Sequence, residues 1–153
     1  MPSPFSQNEL PHSPVTPAQL KRERLRFSEF FFRRTPDGRC AAEVELEWLE
    51  GAKVRGKAAG QSSALVDLRV AAEAALRAIE IFSDNALQFE LLGVKSIRAF
   101  DASVIIVSIV VKRGDGPRKL LGSCLVEDDP VRGAAVAVLN ATNRVLGNFI
   151  ATR

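Results

Sequence analysis

Apolar and polar residues alternate along AAEVELEW (Ala41 to Trp48), where Val44, Leu46 and Trp48 fall on one side and Glu43, Glu45 and Glu47 on the other. That period of two predicts a strand in a sheet with one wet face. Before it, LRFSEFFF (Leu25 to Phe32) is rich in aromatics, and TPDGR (Thr35 to Arg39) supplies the Pro and Asp-Gly of a tight turn, so the two runs read as a hairpin. Glu50-Gly51 makes the next turn, into a third strand AKVRGKAAG (Ala52 to Gly60) whose only large apolar residue is Val54. The period then changes. Leu65, Leu68, Ala72, Ala75, Leu76, Ile79 and Phe82 recur at three and four residues, the spacing of one helix face, with Ser63 or Asp67 as the cap and Ser83-Asp84-Asn85 as the stop.

The second half runs through the same order. LQFELLGVKSI (Leu87 to Ile97), SVIIVSIVVK (Ser103 to Lys112) and PRKLLGSCLV (Pro117 to Val126) read as three strands, separated by AFDA and by RGDGP, both of them turn signals. Asp129 and Pro130 suit the cap and first position of a second helix, because Asp accepts free backbone N–H groups and Pro has none to lose. Val131, Ala134, Ala135, Val138, Thr142, Val145 and Leu146 line its core face.

The repetition extends to single residues. RVAAEAALRA (Arg69 to Ala78) returns as RGAAVAVLNA (Arg132 to Ala141) with Arg, Ala, Ala, Ala, Leu and Ala at the same places. Gly60 lies nine residues before Arg69 and Gly122 ten before Arg132, with Gly51 and Gly114 matching further upstream. The chain is therefore expected to be a duplicated β-β-β-α unit: an α/β protein, specifically an α+β two-layer sandwich with pseudo-twofold symmetry and its helices on one face of the sheet. Neither unit alone has enough apolar cover, so the two are expected to share one continuous sheet and core. Unit one covers about 23–84 and unit two about 85–150 of a single domain, 21–153. Ahead of it, residues 1–20 form a Pro- and Ser-rich tail that holds the chain's one histidine, His12, and is expected to be disordered.

The helices carry little charge on the side away from that core stripe, where Val136, Leu139, Asn140 and Asn143 lie on one and Val70, Ala74, Arg77 and Ile81 on the other. A solvated face carries more, so the helix layer is expected to be partly covered by another subunit in a homodimer. The many alanines fit close approach of helices, although Ala is also the best helix former.

Composition narrows the function. A chain of 153 residues with 46% hydrophobic content buries one ordinary core. Twenty-one Lys and Arg against 18 Asp and Glu leave a charge of +3, much of it in KRERLRF (Lys21 to Phe27), which is not a broad phosphate-binding field. Nucleic acid is thus the runner-up partner, using the basic segment 21–39 with Lys53, Arg55 and Lys57 on the exposed sheet face and Phe30 to Phe32 for stacking, against the opposing charge of Glu43, Glu45 and Glu47. Cys40 and Cys124 are far apart and fit no zinc spacing, which reads as buried free thiols. No run approaches the roughly 20 apolar residues that cross a bilayer, and the first residues lack the order of a secretory signal, so no membrane partner and a cytoplasmic location are expected.

Catalytic chemistry is sparse. The globular part has no His, the chain has no Tyr, and neither a nucleophile elbow nor a phosphate loop is present; no enzyme activity, cofactor or metal is expected. Glu127, Asp128 and Asp129 form the densest acidic group, read as a helix cap with solvated neighbours. Arg69 and Arg132 sit in the first turns of the two helices, where free N–H groups favour anions. With Gly60, Gly122, Asp129, Asn140 and Asn143 they are the candidate ligand-binding residues for a small anionic metabolite. The competing reading pairs each Arg with an acid of its own loop, Asp67 for one and Asp128 or Asp129 for the other.

Two β-β-β-α units, a small-residue strand ending in Gly before each helix, and AVLNATNRVL (Ala137 to Leu146) together resemble the C-terminal regulatory domain of 2-isopropylmalate synthase, over roughly Leu25 to Leu146. The resemblance implies a pseudo-symmetric, dimer-forming module that binds the pathway's end product, leucine, and inhibits a separate catalytic barrel. That family's Gly-x-Gly-Pro turn corresponds here to GQSSALVD (Gly60 to Asp67), which keeps only Gly60, while GSCLVEDDPVRGAA (Gly122 to Ala135) keeps the Gly and an acidic cap. The expected function is a stand-alone, non-catalytic regulatory or dimerisation module binding a small anionic metabolite near the helix starts. Besides nucleic-acid binding, the alternative is a structural module with a protein partner.

Overall fold

The computed structural model describes residues 25–48, 51–113 and 116–151. The Pro- and Ser-rich tail, the basic residues Lys21 to Arg24, Glu50, and the Gly114-Asp115 pair of the last hairpin lie outside the described residues.

Alternation and turn chemistry produce the strands as expected. β1 (Arg26–Arg34), β2 (Arg39–Trp48) and β3 (Ala52–Gln61) form one antiparallel sheet in that order, and the first hairpin turns at Gly38 with a φ of 85°. Helix α1 (Ala64–Phe82) follows, with Ser63 as its cap: the hydroxyl accepts the Val66 amide at 3.1 Å. Asp84 and Asn85 end it in the left-handed region. β4 (Gln88–Ala99), β5 (Ala102–Arg113) and β6 (Gly116–Val126) form a second antiparallel sheet, and α2 (Pro130–Ala151) closes the chain. Asp129 caps α2 by accepting the Arg132 amide at 3.1 Å.

Each helix lies on the third strand of its own unit at a distance that only glycine permits. A Cβ on Gly56 would come within 2.2 Å of the Ala74 carbonyl oxygen and of the Ala78 nitrogen. On Gly122 it would come within 2.2 Å of the Ala137 carbonyl oxygen and 2.6 Å of the Ala141 nitrogen. Ala74 and Ala78 match Ala137 and Ala141 in the repeat, and the two glycines pair with Val44 and Val107 of the central strands. The structural counterpart of Gly122 is therefore Gly56, not Gly60. Gly60 stands about two turns nearer the start of α1, where an added Cβ would meet only methyls of Val66 and Val70 at 3.1 and 3.3 Å.

Two sheets form where one continuous sheet was expected. The reason lies in α1, which is apolar on two adjoining stripes. Val70 and Ala74, expected on an outward side, are buried on β3, while Leu68, Ala72, Leu76 and Ile79 are buried too. A helix this apolar needs cover on both stripes, so α1 packs on β2 and β3, against α2, and along β4, and α2 reciprocally packs on β5 and β6 and reaches β1. The units meet through their helices rather than through a strand pair. Glu80 of α1 reinforces the junction by accepting the Phe89 amide of β4 at 2.8 Å. Each sheet thus has an inner face on the helices and an outer face that no part of the described chain covers.

Candidate functional site

The duplication makes the two outer faces directly comparable. Cross-strand neighbours share a face, and aligning Gly56 with Gly122 brings the rows into correspondence. The row Arg33–Ala41–Ala59 of the first sheet answers to Ile97–Val104–Leu125 of the second. Phe31–Glu43–Lys57 answers to Lys95–Ile106–Ser123, and Glu29–Glu45–Arg55 to Gly93–Ser108–Leu121. The fourth pair is Arg26–Glu47–Lys53 and Glu90–Val110–Lys119.

On the first sheet those rows form a lattice of opposite charges. Arg55 lies 2.9 Å from Glu43 and 3.1 Å from Glu45, with Glu29 at 3.9 Å. Lys53 reaches Glu45 at 3.8 Å and Arg26 reaches Glu47 at 3.5 Å. Glu45, expected on a wet face, is only 4% exposed because these neighbours close over it. The Ser28 hydroxyl donates to it at 2.7 Å. That hydrogen bond, opposed by burial and helped by Arg55 and Lys53, holds the Glu45 carboxyl below the usual carboxylate range. Phe30 and Phe32 pack against the core, so of the three aromatics expected to stack on nucleic acid only Phe31 stands exposed on this face. With Ala41, Ala59, Arg33 and Lys57 it borders an open groove of about 980 Å³.

On the second sheet six of the same places are aliphatic, Ile97, Val104, Ile106, Val110, Leu121 and Leu125, and Glu90, Lys95 and Lys119 are the charges among them. Leu121 is 73% exposed and Leu125 63%, with Leu92 and Ile97 also open to solvent. Leu92 is the extra residue of a bulge between Leu91 and Gly93, which turns it outward beside Ser108 while Leu91 stays in the core. Between the edges, Val104, Ile106 and Val110 are half-buried only by their neighbours. A further apolar group adjoins the Ile97 row: Phe100, in the two-residue turn between the paired Ala99 and Ala102, is fully exposed. Phe100 and Asp101 have φ values of 55° and 60°, a conformation that such hairpin turns ordinarily give to Asn and Gly. An aromatic residue held there by its backbone is strained as well as exposed.

The residues singled out as ligand-binding fall in separate places. Arg69 lies 3.9 Å from Glu73 on its own helix. Arg132 stacks its guanidinium over the Phe27 ring, 4.8 Å from the centroid, joining α2 to β1. Asn140 donates to the Ser123 carbonyl at 2.8 Å, beside Gly122, so those two are brought together under α2. Asn143 is exposed, and Gly60 serves the packing of α1. Each helix start already has a carboxylate of its own, Asp129 at the cap of α2 and Asp67 in the first turn of α1.

Asp67 is the most heavily used of these groups. It accepts two hydrogen bonds from Arg34, at 3.0 and 2.7 Å, and one from Ser62 at 2.9 Å. Burial pushes its carboxyl up, but the bonds from Ser62, Arg34 and Cys40 outweigh burial and hold it below the ordinary value. Cys40, buried beside it, has its thiol pushed up by burial first and by the Asp67 carboxylate second. Cys124 is half-buried, and both thiols are free. Among the described residues no group of His, Cys, Asp or Glu is placed to hold a metal ion, and no helix is long and apolar enough to cross a membrane.

The aliphatic face was missed in the sequence, although its signal is present there. SVIIVSIVVK is apolar at both parities, Val104, Ile106 and Val110 as well as Ile105, Val107, Ile109 and Val111, the mark of a strand covered on both faces. No protein-family model matches the chain, and no curated protein matches it either.

Proposed function

We propose that the chain is a non-catalytic, cytoplasmic module of the regulatory or dimerisation kind, and that its working surface is the outer face of the second sheet. One observation carries the reading. The first sheet shows that this fold accepts Glu43, Glu45, Glu47 and Arg55 at the positions where the second sheet has Ile106, Ser108, Val110 and Leu121. Folding therefore does not require the aliphatic set. Contiguous apolar surface of this kind on a water-soluble face marks an interaction site. The family resemblance of the sequence, to a regulatory domain that acts through association, is in keeping with it.

Carbene footprinting tests the reading, with Phe31 of the first sheet as internal reference. In cell extract, Leu121 and Leu125 are expected to label several-fold less than Phe31, despite their greater exposure in the single chain. Labelling as strong as that of Phe31 would overturn the proposal.

A further inference from the structure

We infer that the partner of this face is a second copy of the chain, and that the twofold axis relating the copies runs along β5. The inference rests on the reading of the second sheet's outer face as an interaction surface.

An interface between identical copies must be complementary to itself after a half-turn. Two sheets packed face to face keep their strands roughly aligned, which leaves two in-plane axes. An axis along the strands lays β4 of each copy over β6 of the other and keeps every row at its own level. Ile97 then meets Leu125, and Leu92 meets Leu121. In the row Glu90–Val110–Lys119, Glu90 of each copy faces Lys119 of the other, twice by symmetry. Lys95 faces Ser123, which accepts a hydrogen bond, and Val104, Ile106 and Val110 close on their own counterparts along the axis.

The alternative axis, across the strands, fails on the same rows. It lays β4 over β4 with the levels inverted, so that Glu90 covers Ile97 and Lys119 covers Leu125. Charges would then be desolvated against aliphatic side chains with no partner. Of the three charges in these rows, Glu90 on one edge strand and Lys119 on the other stand at one level and fit a half-turn about β5, which leaves Lys95 to the Ser123 hydroxyl.

Sedimentation of the full chain tests this, with Glu90→Lys, Lys119→Glu, the double reversal and Leu121→Glu. The wild type is expected at twice the chain mass of 16.6 kDa. Each single reversal sets like charges opposite one another twice and is expected to weaken the dimer by about tenfold or more, while the double reversal returns it to within about threefold of wild type, an energy difference of about 0.7 kcal/mol. Leu121→Glu is expected to give a folded monomer, since its counterpart in the first sheet is Arg55; circular dichroism and the melting temperature check the folding. A dimer indifferent to Leu121→Glu, or one that the double reversal fails to restore, overturns the inference. A monomeric wild type whose Leu121 and Leu125 are protected in extract, or which floats with vesicles containing phosphatidylserine, overturns the second copy as partner but leaves the interaction surface standing. A monomer with both leucines fully labelled overturns both.

Discussion

Replacing Gly56 by Ala is the sharpest test of how the helices are seated. The added carbon would lie 2.2 Å from the Ala74 carbonyl oxygen and from the Ala78 nitrogen, and 2.8 Å from the Ala78 Cα. All three are backbone atoms, so no side-chain rotation relieves the overlap. Helix α1 would have to retreat by about 1.3 Å to reach ordinary contact, a gap that forfeits half or more of the dispersion energy along the β3 contact. Overpacking of this kind costs about 1–3 kcal/mol, and the lost contact of Val70, Ala74 and Ala78 places the expected cost at the top of that range, about 3 kcal/mol. The stiffer unfolded chain returns only about 0.4–1 kcal/mol. For a chain of this size 3 kcal/mol corresponds to a melting temperature lower by about 6–12 °C. Urea denaturation of Gly56→Ala and Gly122→Ala should give similar losses, because the two sites are equivalent. Gly60→Ala, which meets only methyl groups, should cost about 1 kcal/mol or less. Gly93→Ala, with nothing within 4 Å of the new carbon, should be neutral to within about 0.5 kcal/mol. A Gly56→Ala protein as stable as Gly60→Ala would refute the close seating.

Other perturbations test other parts of the structure. Asp67→Ala removes the acceptor that Arg34, Ser62 and Cys40 share; with the Arg34 side chain 61% exposed and its charge screened by water, the expected cost is about 2 kcal/mol in urea melts, and a loss under about 0.5 kcal/mol would contradict the buried role assigned to it. The acid limb of the pH–stability profile follows from Asp67 and Glu45, whose folded values lie below their ordinary ones: their contribution is present above about pH 4 and falls as the pH drops through the folded values. Cys40 is raised by burial, so its contribution is present below about pH 8.5 and declines as the pH rises above it. Cys40→Ala should reduce that alkaline slope, to which Cys124, also raised by burial, contributes the remainder, and an unchanged slope would exclude the Cys40 thiol as a source. Phe100→Gly relieves a bulky residue of a positive φ of 55° and should raise thermal stability by about 1 kcal/mol, whereas an unchanged or lower melting temperature would mean the turn is not strained.

Local chemistry was legible at the level of elements. Period two, period three-to-four and the turn signals give six strands and two helices with boundaries close to those observed, and the caps at Ser63 and Asp129 follow from side chains that accept free amides. What could not be read was register. Gly60 and Gly122 look equivalent because they precede the repeated Arg by nearly equal intervals, yet the pairing of Val44 with Gly56 and Val107 with Gly122 decides which glycine lies under the helix. The spacing of Ala74 to Ala78 and of Ala137 to Ala141 marks where a backbone approaches, but its partner lies on a strand whose alignment is set by the hairpin. The same limit hid the second stripe of α1: Val70 and Ala74 look outward from a single-face reading and are inward because two sheets and a second helix surround the helix. Of the seven candidate ligand residues, Asp129 and Gly122 are placed by capping and close packing, roles that their spacing alone does not distinguish from binding.

The duplication also separates what the fold needs from what it carries. Both units keep the Gly under the helix, the pair of alanines above it and the Val beside it, because the helix-to-sheet distance depends on all three. Nothing in that contact touches the outer rows, which lie on the opposite side of the strands and are free to diverge. They have diverged in opposite senses, one to a lattice of ion pairs and the other to mainly aliphatic side chains with Lys95 and one acid and base, Glu90 and Lys119, at one level. Surface ion pairs contribute little to stability, about 0–1 kcal/mol each, so the charged face is better understood as a means of keeping the first sheet solvated. A chain with aliphatic side chains on both outer faces would offer two unlike apolar surfaces and could associate head to tail without closing. With one face charged, the proposed association through the other would end at a closed pair, and the contrast between the two units would set that limit.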